Sequence, residues 1–272
     1  MTGSKLPPPP PPPPRPTPTA RPRSGSEWKE PDRPPLAPFA PQARWGLGDA
    51  LISFAIFVVT SVVLVGIVIL VDADPLAGFW FPLLLAGPQL TQGAFVLGVA
   101  REKGAGLDPD FGFRVRGIDL LLGLALLVVG FVLAGSTAVL TEAFGLETPE
   151  ASVAELIDDA SDGNPGDDGG ITIWIVMVAL FASTAVPVIE ELLYRGLWWS
   201  ALLKRGVPER WALIITSLAF AAAHLEPGRF PVLFALGLAL GLGRLLTGRI
   251  GASIVTHACI NGIAMTVLLS TI

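Results

Sequence analysis

Long stretches without charge constrain this chain most strongly. Between Ile171 and Ile189 the sequence contains no Asp, Glu, Lys or Arg, and similar apolar runs recur after residue 45. A helix of about 20 apolar residues spans the hydrocarbon core of a bilayer, and a helix satisfies its own backbone hydrogen bonds there. Charged residues make up 15% of the chain, whereas average soluble domains contain about 25%. We therefore predict an all-α fold, a polytopic transmembrane helical bundle.

The apolar runs predict about seven membrane helices. Their approximate ranges are 50–71, 79–100, 118–140, 171–203, 211–225, 230–246 and 250–271. The fourth is too long for one perpendicular crossing, so it must tilt, kink or project from the membrane. The fifth and sixth are short, which favours helices packed inside the bundle over helices that face lipid.

The polar segments divide the chain into three regions. Residues 1–45 hold 16 of the 26 prolines, a composition typical of a disordered, basic, proline-rich tail. Residues 46–170 form a scaffold of three membrane helices, followed by a loop at 141–170 that carries nine acids and no base. Its acid spacing matches no EF-hand, so we interpret it as a solvated acidic loop. Residues 171–272 form the third region, which contains three clusters of polar residues on apolar helices.

Basic residues predict an orientation. Sixteen of the 18 Lys and Arg fall on one side of the seven-helix arrangement; Arg229 falls on the other, and Arg195 lies within a helix. Positive residues accumulate on the cytoplasmic side of membrane proteins. We therefore expect a cytoplasmic N-terminus, and we expect no nucleic-acid partner.

The fourth apolar segment ends in "AVPVIEELLYRG", with ionisable residues where water is scarce. Such residues are costly inside a bilayer and usually have a partner or a function. Residues four apart share a helix face, so Glu191 and Arg195 can pair and support the structure. Glu190 lies about 100° away on the helix and is left as the free carboxylate. Pro187 should kink the helix near Glu190.

Both histidines of the chain lie in later apolar segments. Phe220 and His224 are four residues apart in "FAAAH", and His257 and Asn261 are four apart in "HACIN", so each pair shares a face. Val207, at the centre of the turn before the fifth segment, is 17 residues from Glu190 and 17 from His224. If both flanking segments are helical, the equal rise along two antiparallel helices places Glu190 and His224 at the same depth in the membrane. His257 lies only about eight residues into the last segment, so its depth agrees less well.

A buried carboxylate beside two imidazoles is suited to two chemistries. Glu190 can act as a general base on water, with His224 positioning that water while His257 and Asn261 donate to a developing oxyanion. This combination hydrolyses a peptide bond. Alternatively, Glu190, His224 and His257 are the three ligands of a catalytic Zn²⁺. The residues themselves leave both alternatives open.

The three motifs, in this order on apolar helices, resemble EExxxR, FxxxH and HxxxN of the CAAX protease and bacteriocin-processing family of intramembrane proteases, also called the CPBP or Abi family. The resemblance covers roughly residues 171–272. It implies Glu190 as catalytic base, His224 as its partner on the water, and His257 and Asn261 at the oxyanion. Family members are commonly classed among the metalloproteases. The family that the chain resembles also contains a metal-free, glutamate-dependent type, and we favour that type for this chain.

The resulting prediction is an intramembrane endopeptidase that hydrolyses a membrane-associated protein or peptide in a bacterial cell membrane, with no cofactor. Glu191, Arg195 and Phe220 support the site, and the first three helices provide scaffold and substrate access. Two alternatives use the same buried groups: a proton-coupled transporter and a non-proteolytic membrane scaffold that binds a partner.

Overall fold

The structure is a computed structural model that describes residues 43–145, 152–162 and 171–271. The predicted disordered tail lies outside these ranges apart from residues 43–45. Throughout the described ranges all regular structure is helical, which confirms the predicted all-α bundle.

Ten α-helices follow one another along the described chain. They are α1 (Leu47–Leu70), α2 (Trp80–Lys103), α3 (Leu107–Phe111), α4 (Gly117–Ala143), α5 (Ser152–Asp162), α6 (Ile173–Glu191), α7 (Trp199–Lys204), α8 (Glu209–Ala223), α9 (Phe230–Thr247) and α10 (Gly251–Leu269). A π-helical segment, Leu192–Trp198, joins α6 directly to α7, and a short 3₁₀ turn, Pro227–Arg229, precedes α9.

Six helical stretches among the described residues are long and apolar enough to cross a membrane. They are Leu47–Leu70, Trp80–Lys103, Gly117–Ala143, Ile173–Lys204, Pro227–Thr247 and Gly251–Leu269. The fifth predicted segment forms α8, which has 15 residues. At about 1.5 Å per residue it is shorter than the hydrocarbon core of roughly 30 Å. The prediction of about seven membrane helices thus becomes six spanning stretches and one shorter helix.

Helix α1 shows how the bundle meets lipid. Large apolar side chains along it are exposed, including Val62 at 67% and Ile69 at 71%. Soluble proteins rarely expose contiguous apolar surface of this extent, whereas a bilayer solvates it. The protein is therefore an integral membrane protein.

The interior is formed by the later helices, with α2 beside them. Helix α9 packs against α4, α8 and α10, while α6 packs against α2 and α10. Small residues permit the closest approach: a Cβ at Gly237 of α9 would lie 3.1 Å from Cα and Cβ of Ser217 on α8. The Gly237 carbonyl at this crossing accepts a hydrogen bond from Arg195 of the first motif, so the close approach of α8 and α9 lies beside the polar residues of the third region.

This crossing gives a test of stability. Gly237→Val should lower the free energy of unfolding in detergent by about 1–3 kcal/mol, because the added methyl groups must push α8 and α9 apart. The matched control is Gly135→Val on α4, where a Cβ would meet no atom of the described residues within 4 Å. Equal stability of the two variants would show that the close approach is unnecessary.

Positively charged residues from distant segments gather at one end of the bundle. Lys204 Nζ donates to the Trp45 carbonyl at 2.8 Å, and Arg244 Nη1 donates to the Phe111 carbonyl at 3.0 Å. Lys103 pairs with Asp49 at 2.5 Å, and Arg249 pairs with Asp119 at 2.6 Å. Some of the basic residues that predict the cytoplasmic side therefore also tie the helix ends together. The orientation itself remains a prediction.

The acidic segment differs from its prediction. We expected a solvated loop at 141–170, but residues 152–162 form α5. Ile157 is fully buried, and Leu156 and Ala160 pack against the same apolar cluster as Ile175 of α6. This spacing is one helical face, and the acids between these residues are exposed. The high acid content led us to predict a loop where the apolar residues follow the pattern of a short amphipathic helix. The rest of the predicted loop, at 146–151 and 163–170, lies outside the described residues.

Candidate active site

The two adjacent glutamates lie where α geometry ends. Glu190 and Glu191 are the last residues of α6, and the π-helical segment begins at Leu192. Single π-helical turns within α-helices occur frequently at functional sites. We predicted a kink caused by Pro187; the structure keeps Pro187 within α6 and places the departure from α geometry after Glu191.

Glu191 is the centre of a buried ionic cluster. Its Oε1 accepts from Arg195 Nη1 at 3.0 Å and contacts His257 Nδ1 at 3.0 Å. Arg195 Nη2 also donates to the Gly237 carbonyl at 2.7 Å. Glu191 and Arg195 are completely inaccessible to solvent. The predicted pair of Glu191 and Arg195 is present, and His257 is a third member that we did not predict.

The position of His257 corrects the depth argument. The residue count placed His257 at a different depth in the membrane from Glu190. In the structure, however, His257 Nε2 lies 3.7 Å from Glu190 Oε2. The count treats every helix as straight and perpendicular, whereas membrane helices tilt by about 20° on average. Part of the fourth segment is also π-helical, which further weakens a count based on α-helical rise.

Glu190 has a different environment from its neighbour. It is 9% exposed, and its Oε1 accepts a hydrogen bond from Gln89 Nε2 of α2 at 3.2 Å. Its other oxygen faces His257 Nε2 without a short hydrogen bond. Within the described residues Glu190 has no Lys or Arg partner, which matches the expected division between a paired and an unpaired carboxylate.

His224 directly follows the last residue of α8, and its ring contacts the backbone of the preceding helical turn. Its Nδ1 lies 2.8 Å from the Phe220 carbonyl. A carbonyl oxygen only accepts, so Nδ1 carries the proton and Nε2 is the free ring nitrogen. In the described part of the chain no hydrogen bond joins His224 to Glu190; instead, both residues line the same cavity.

Phe220 is the packing centre of the site. Its ring lies edge-on to Tyr194, His224 and His257, with centroid separations of 5.6, 4.7 and 5.6 Å. The guanidinium carbon of Arg195 is 5.0 Å from the same ring, within cation–π range. Phe220 therefore fixes the relative positions of both histidines and the buried ion pair.

Asn261 lies one helical turn beyond His257 and points toward α6. Its Nδ2 donates to the Ala182 carbonyl at 2.9 Å. An amide nitrogen carries two protons, so this contact leaves one for another acceptor. Asn261 and His257 both line the cavity that contains Glu190, as their shared helical face predicts.

The cavity, here called the main cavity, has a volume of about 320 Å³. Its walls are mostly aliphatic and aromatic, with the polar site residues on one part of the surface and Glu226 and Arg229 elsewhere on the lining. Ligand sites typically combine an apolar lining with a few convergent polar groups. The arrangement suits a largely apolar guest that presents one polar group to Glu190.

A metal ion at this site would need donors that converge on one point. Among the described residues, no group of three or more His, Cys, Asp or Glu side chains is arranged to hold a metal ion. The hypothetical ligands Glu190, His224 and His257 line the same cavity. Nδ1 of each histidine contacts a protein oxygen, so Nε2 is the nitrogen that each ring could offer to a metal.

Sequence reasoning missed Gln89. It lies on α2, within the part of the chain that we expected to serve as scaffold, and it contacts Glu190 across 101 positions of sequence. The available signal was "PQLTQG", where Gln89 and Gln92 interrupt an apolar helix three residues apart. Polar residues inside membrane helices usually face the bundle interior.

Together, the fold and this polar cavity define an integral membrane protein with a candidate reaction site inside its helical bundle. Residues 172–263 match the family model described as Type II CAAX prenyl endopeptidase Rce1-like, so this segment is similar to that family. The match confirms the resemblance predicted from the three motifs and supports protease activity at the level of the family. Comparisons with curated proteins and with solved structures found no match.

Proposed function

We propose that this protein is an intramembrane endopeptidase that cleaves a membrane-associated protein or peptide with water activated by Glu190. One observation carries the proposal: Glu190 faces the main cavity outside the buried ion pair, beside His257 and Gln89. Its position within a segment that matches an endopeptidase family supports the same conclusion.

The lining of the main cavity fits a substrate that arrives from the membrane. Leu85, Phe181, Leu236 and Met265 present apolar surface to it, and each buried methylene group contributes about 0.8 kcal/mol to binding. A peptide segment with apolar side chains would be held there, with its scissile carbonyl carbon near Glu190. Remote apolar contacts can thus position the reacting bond.

In the proposed first step, a water molecule lies between Glu190 and the free Nε2 of His224. Glu190 removes a proton from this water as its oxygen bonds to the carbonyl carbon, so the carbonyl oxygen becomes an oxyanion. His257 and Asn261 donate to that oxyanion. Because His257 Nδ1 already faces Glu191, Nε2 donates when the ring is an imidazolium. The charges of Glu190, Glu191, Arg195 and His257 then sum to zero before the water is deprotonated.

In the second step the oxyanion collapses and the C–N bond breaks. Protonated Glu190 gives its proton to the departing nitrogen, which becomes an amine, while the other fragment retains the water oxygen in its new carboxyl group. Glu190 returns to its ionised state. No covalent enzyme intermediate forms.

The test uses purified protein in liposomes and a randomised library of membrane-anchored peptides. In H₂¹⁸O we expect cleaved products whose new carboxyl terminus carries one ¹⁸O atom, detected by mass spectrometry. Absence of cleavage across the library would contradict the proposal. Proton-linked solute flux in the same liposomes would favour the transporter, whereas recovery of a bound, uncleaved membrane protein would favour the scaffold.

A second measurement addresses the metal alternative. We expect cleavage to persist in chelator at the untreated rate, because the proposed mechanism requires only side-chain groups and water. The control is a zinc-dependent protease in the same buffer, which should lose its activity. Stoichiometric zinc in the purified protein, together with loss of cleavage on chelation, would replace this mechanism by one with Glu190, His224 and His257 as ligands.

A further inference from the structure

Glu190 borders a second, smaller cavity as well as the main one. The smaller cavity has a volume of about 220 Å³ and is lined by Phe54, Phe57, Gln89, Gln92, Glu190, Tyr194, Ala223 and His224. Gln89, Glu190 and His224 also line the main cavity. These three side chains therefore form a shared wall between two spaces, and Glu190 can be reached from both.

The two cavities differ in chemistry. Five of the eight residues that line the smaller one carry hydrogen-bonding side chains, compared with seven of the 19 that line the main one. A water site needs space and two to four polar partners. The smaller cavity provides both, and its volume accommodates several water molecules, whereas the main cavity is better suited to an apolar guest.

Gln89 supplies a second, independent observation. Its Nε2 donates to Glu190 at 3.2 Å, but its Oε1 is buried and has no hydrogen-bond partner among the residues that the structure describes. Leaving a buried acceptor unsatisfied is costly, and such groups in native proteins usually have a partner that can include water. An acceptor beside the proposed catalytic base is suited to a water molecule that donates to it.

We propose that the smaller cavity supplies the hydrolytic water to Glu190, separately from the main cavity that holds the substrate. Gln89 is the positioning residue: it holds the Glu190 carboxylate through Nε2 and orients an incoming water through Oε1. This inference rests on the proposed peptidase activity for its kinetic consequences, but water access to the smaller cavity can be measured without catalysis.

The access test uses thiol labelling in nanodiscs, where both membrane faces are open to solution. Cys259 is the single cysteine of the chain, so Cys259→Ser provides a background without thiols. In that background Ala223→Cys, in the smaller cavity, should react with a charged methanethiosulfonate at least about tenfold faster than Val62→Cys. Val62 is an exposed residue on the lipid-facing surface of α1.

Two labelling results would overturn the proposal. One is an Ala223→Cys rate no higher than that of Val62→Cys. The other is preferential reaction of Ala223→Cys with a lipophilic maleimide, which would indicate that a lipid chain fills the smaller cavity beside Phe54 and Phe57. Both variants must keep the thermal unfolding midpoint of the background protein for the rates to be compared.

The kinetic test places one substitution in each cavity. Ala223→Leu reduces the smaller cavity and should lower kcat about tenfold with little change in KM, because water delivery is impaired while substrate binding is retained. Ala182→Leu intrudes on the main cavity and should mainly raise KM. A general structural disturbance would not separate the two constants in this way.

The outcomes distinguish this inference from the proposed function. If wild-type protein cleaves no peptide, the proposed function fails, and the labelling result alone decides whether water enters the smaller cavity. If wild-type protein cleaves but Ala223→Leu raises KM as Ala182→Leu does, the smaller cavity binds substrate and the separate water supply is wrong.

Discussion

Glu190→Gln should reduce the rate of peptide cleavage by about 10³-fold, because a positioned general base typically contributes 10²–10⁴-fold. The amide has nearly the same shape as the carboxylate, and its oxygen can still accept from Gln89. It cannot take the proton of the attacking water. The thermal unfolding midpoint should therefore stay within about 2 °C of the wild-type value, since Glu190 has no Lys or Arg partner among the described residues.

The control for this experiment is Asp159→Asn, which removes an exposed acid from α5 and should leave cleavage at the wild-type rate. Cleavage rates are measured with the membrane-anchored peptide that the library identifies. If Glu190→Gln retains more than about a tenth of the wild-type rate, the base lies elsewhere and the proposed mechanism fails.

The helices could be predicted from the sequence because their signal is local. Segment 171–203 became Ile173–Lys204, and segment 118–140 became Gly117–Ala143. Each end differs by only a few residues, since charge and polarity mark where the hydrocarbon core stops. The pairing of Glu191 with Arg195 was predictable for the same reason, because four residues of helix bring the two side chains to one face.

The contacts between helices were much less predictable. His257 contacts Glu191 across 66 positions of sequence, and Gln89 contacts Glu190 across 101 positions. Helical periodicity shows which residues share a face, but it does not show which other helix that face meets. His257 entered the predicted site because it is an ionisable residue in an apolar segment, and the family resemblance added support. Gln89 lies outside the matched segment and outside every motif considered.

The environments of the two glutamates support different roles within one turn of helix. Glu191 is fully buried between Arg195 and His257, whereas Glu190 retains access to two cavities. A fully buried ion pair is poorly placed to exchange protons with water, but it can orient an imidazole. The catalytic roles of Glu190, His224, His257 and Asn261 remain predictions.

The second large effect is expected from Arg195→Met. This substitution retains much of the side-chain length but leaves Glu191 buried without its guanidinium partner, and breaking such a pair costs about 3–5 kcal/mol. The Gly237 carbonyl on α9 also loses its donor. We expect the thermal unfolding midpoint in detergent to fall by on the order of 10 °C, with loss of cleavage as a consequence of unfolding.

Arg114→Met is the matched control, because Arg114 and its partner Asp108 are both exposed and an exposed pair contributes about 0–1 kcal/mol. A double substitution isolates the electrostatic cause: adding Glu191→Gln to Arg195→Met should restore part of the lost stability, since no uncompensated carboxylate then remains at position 191. If Arg195→Met is no less stable than Arg114→Met, the buried cluster does not hold α6 against α9. If the double variant is less stable than Arg195→Met alone, the loss comes from packing around Phe220, and the ionic interpretation of the cluster is wrong.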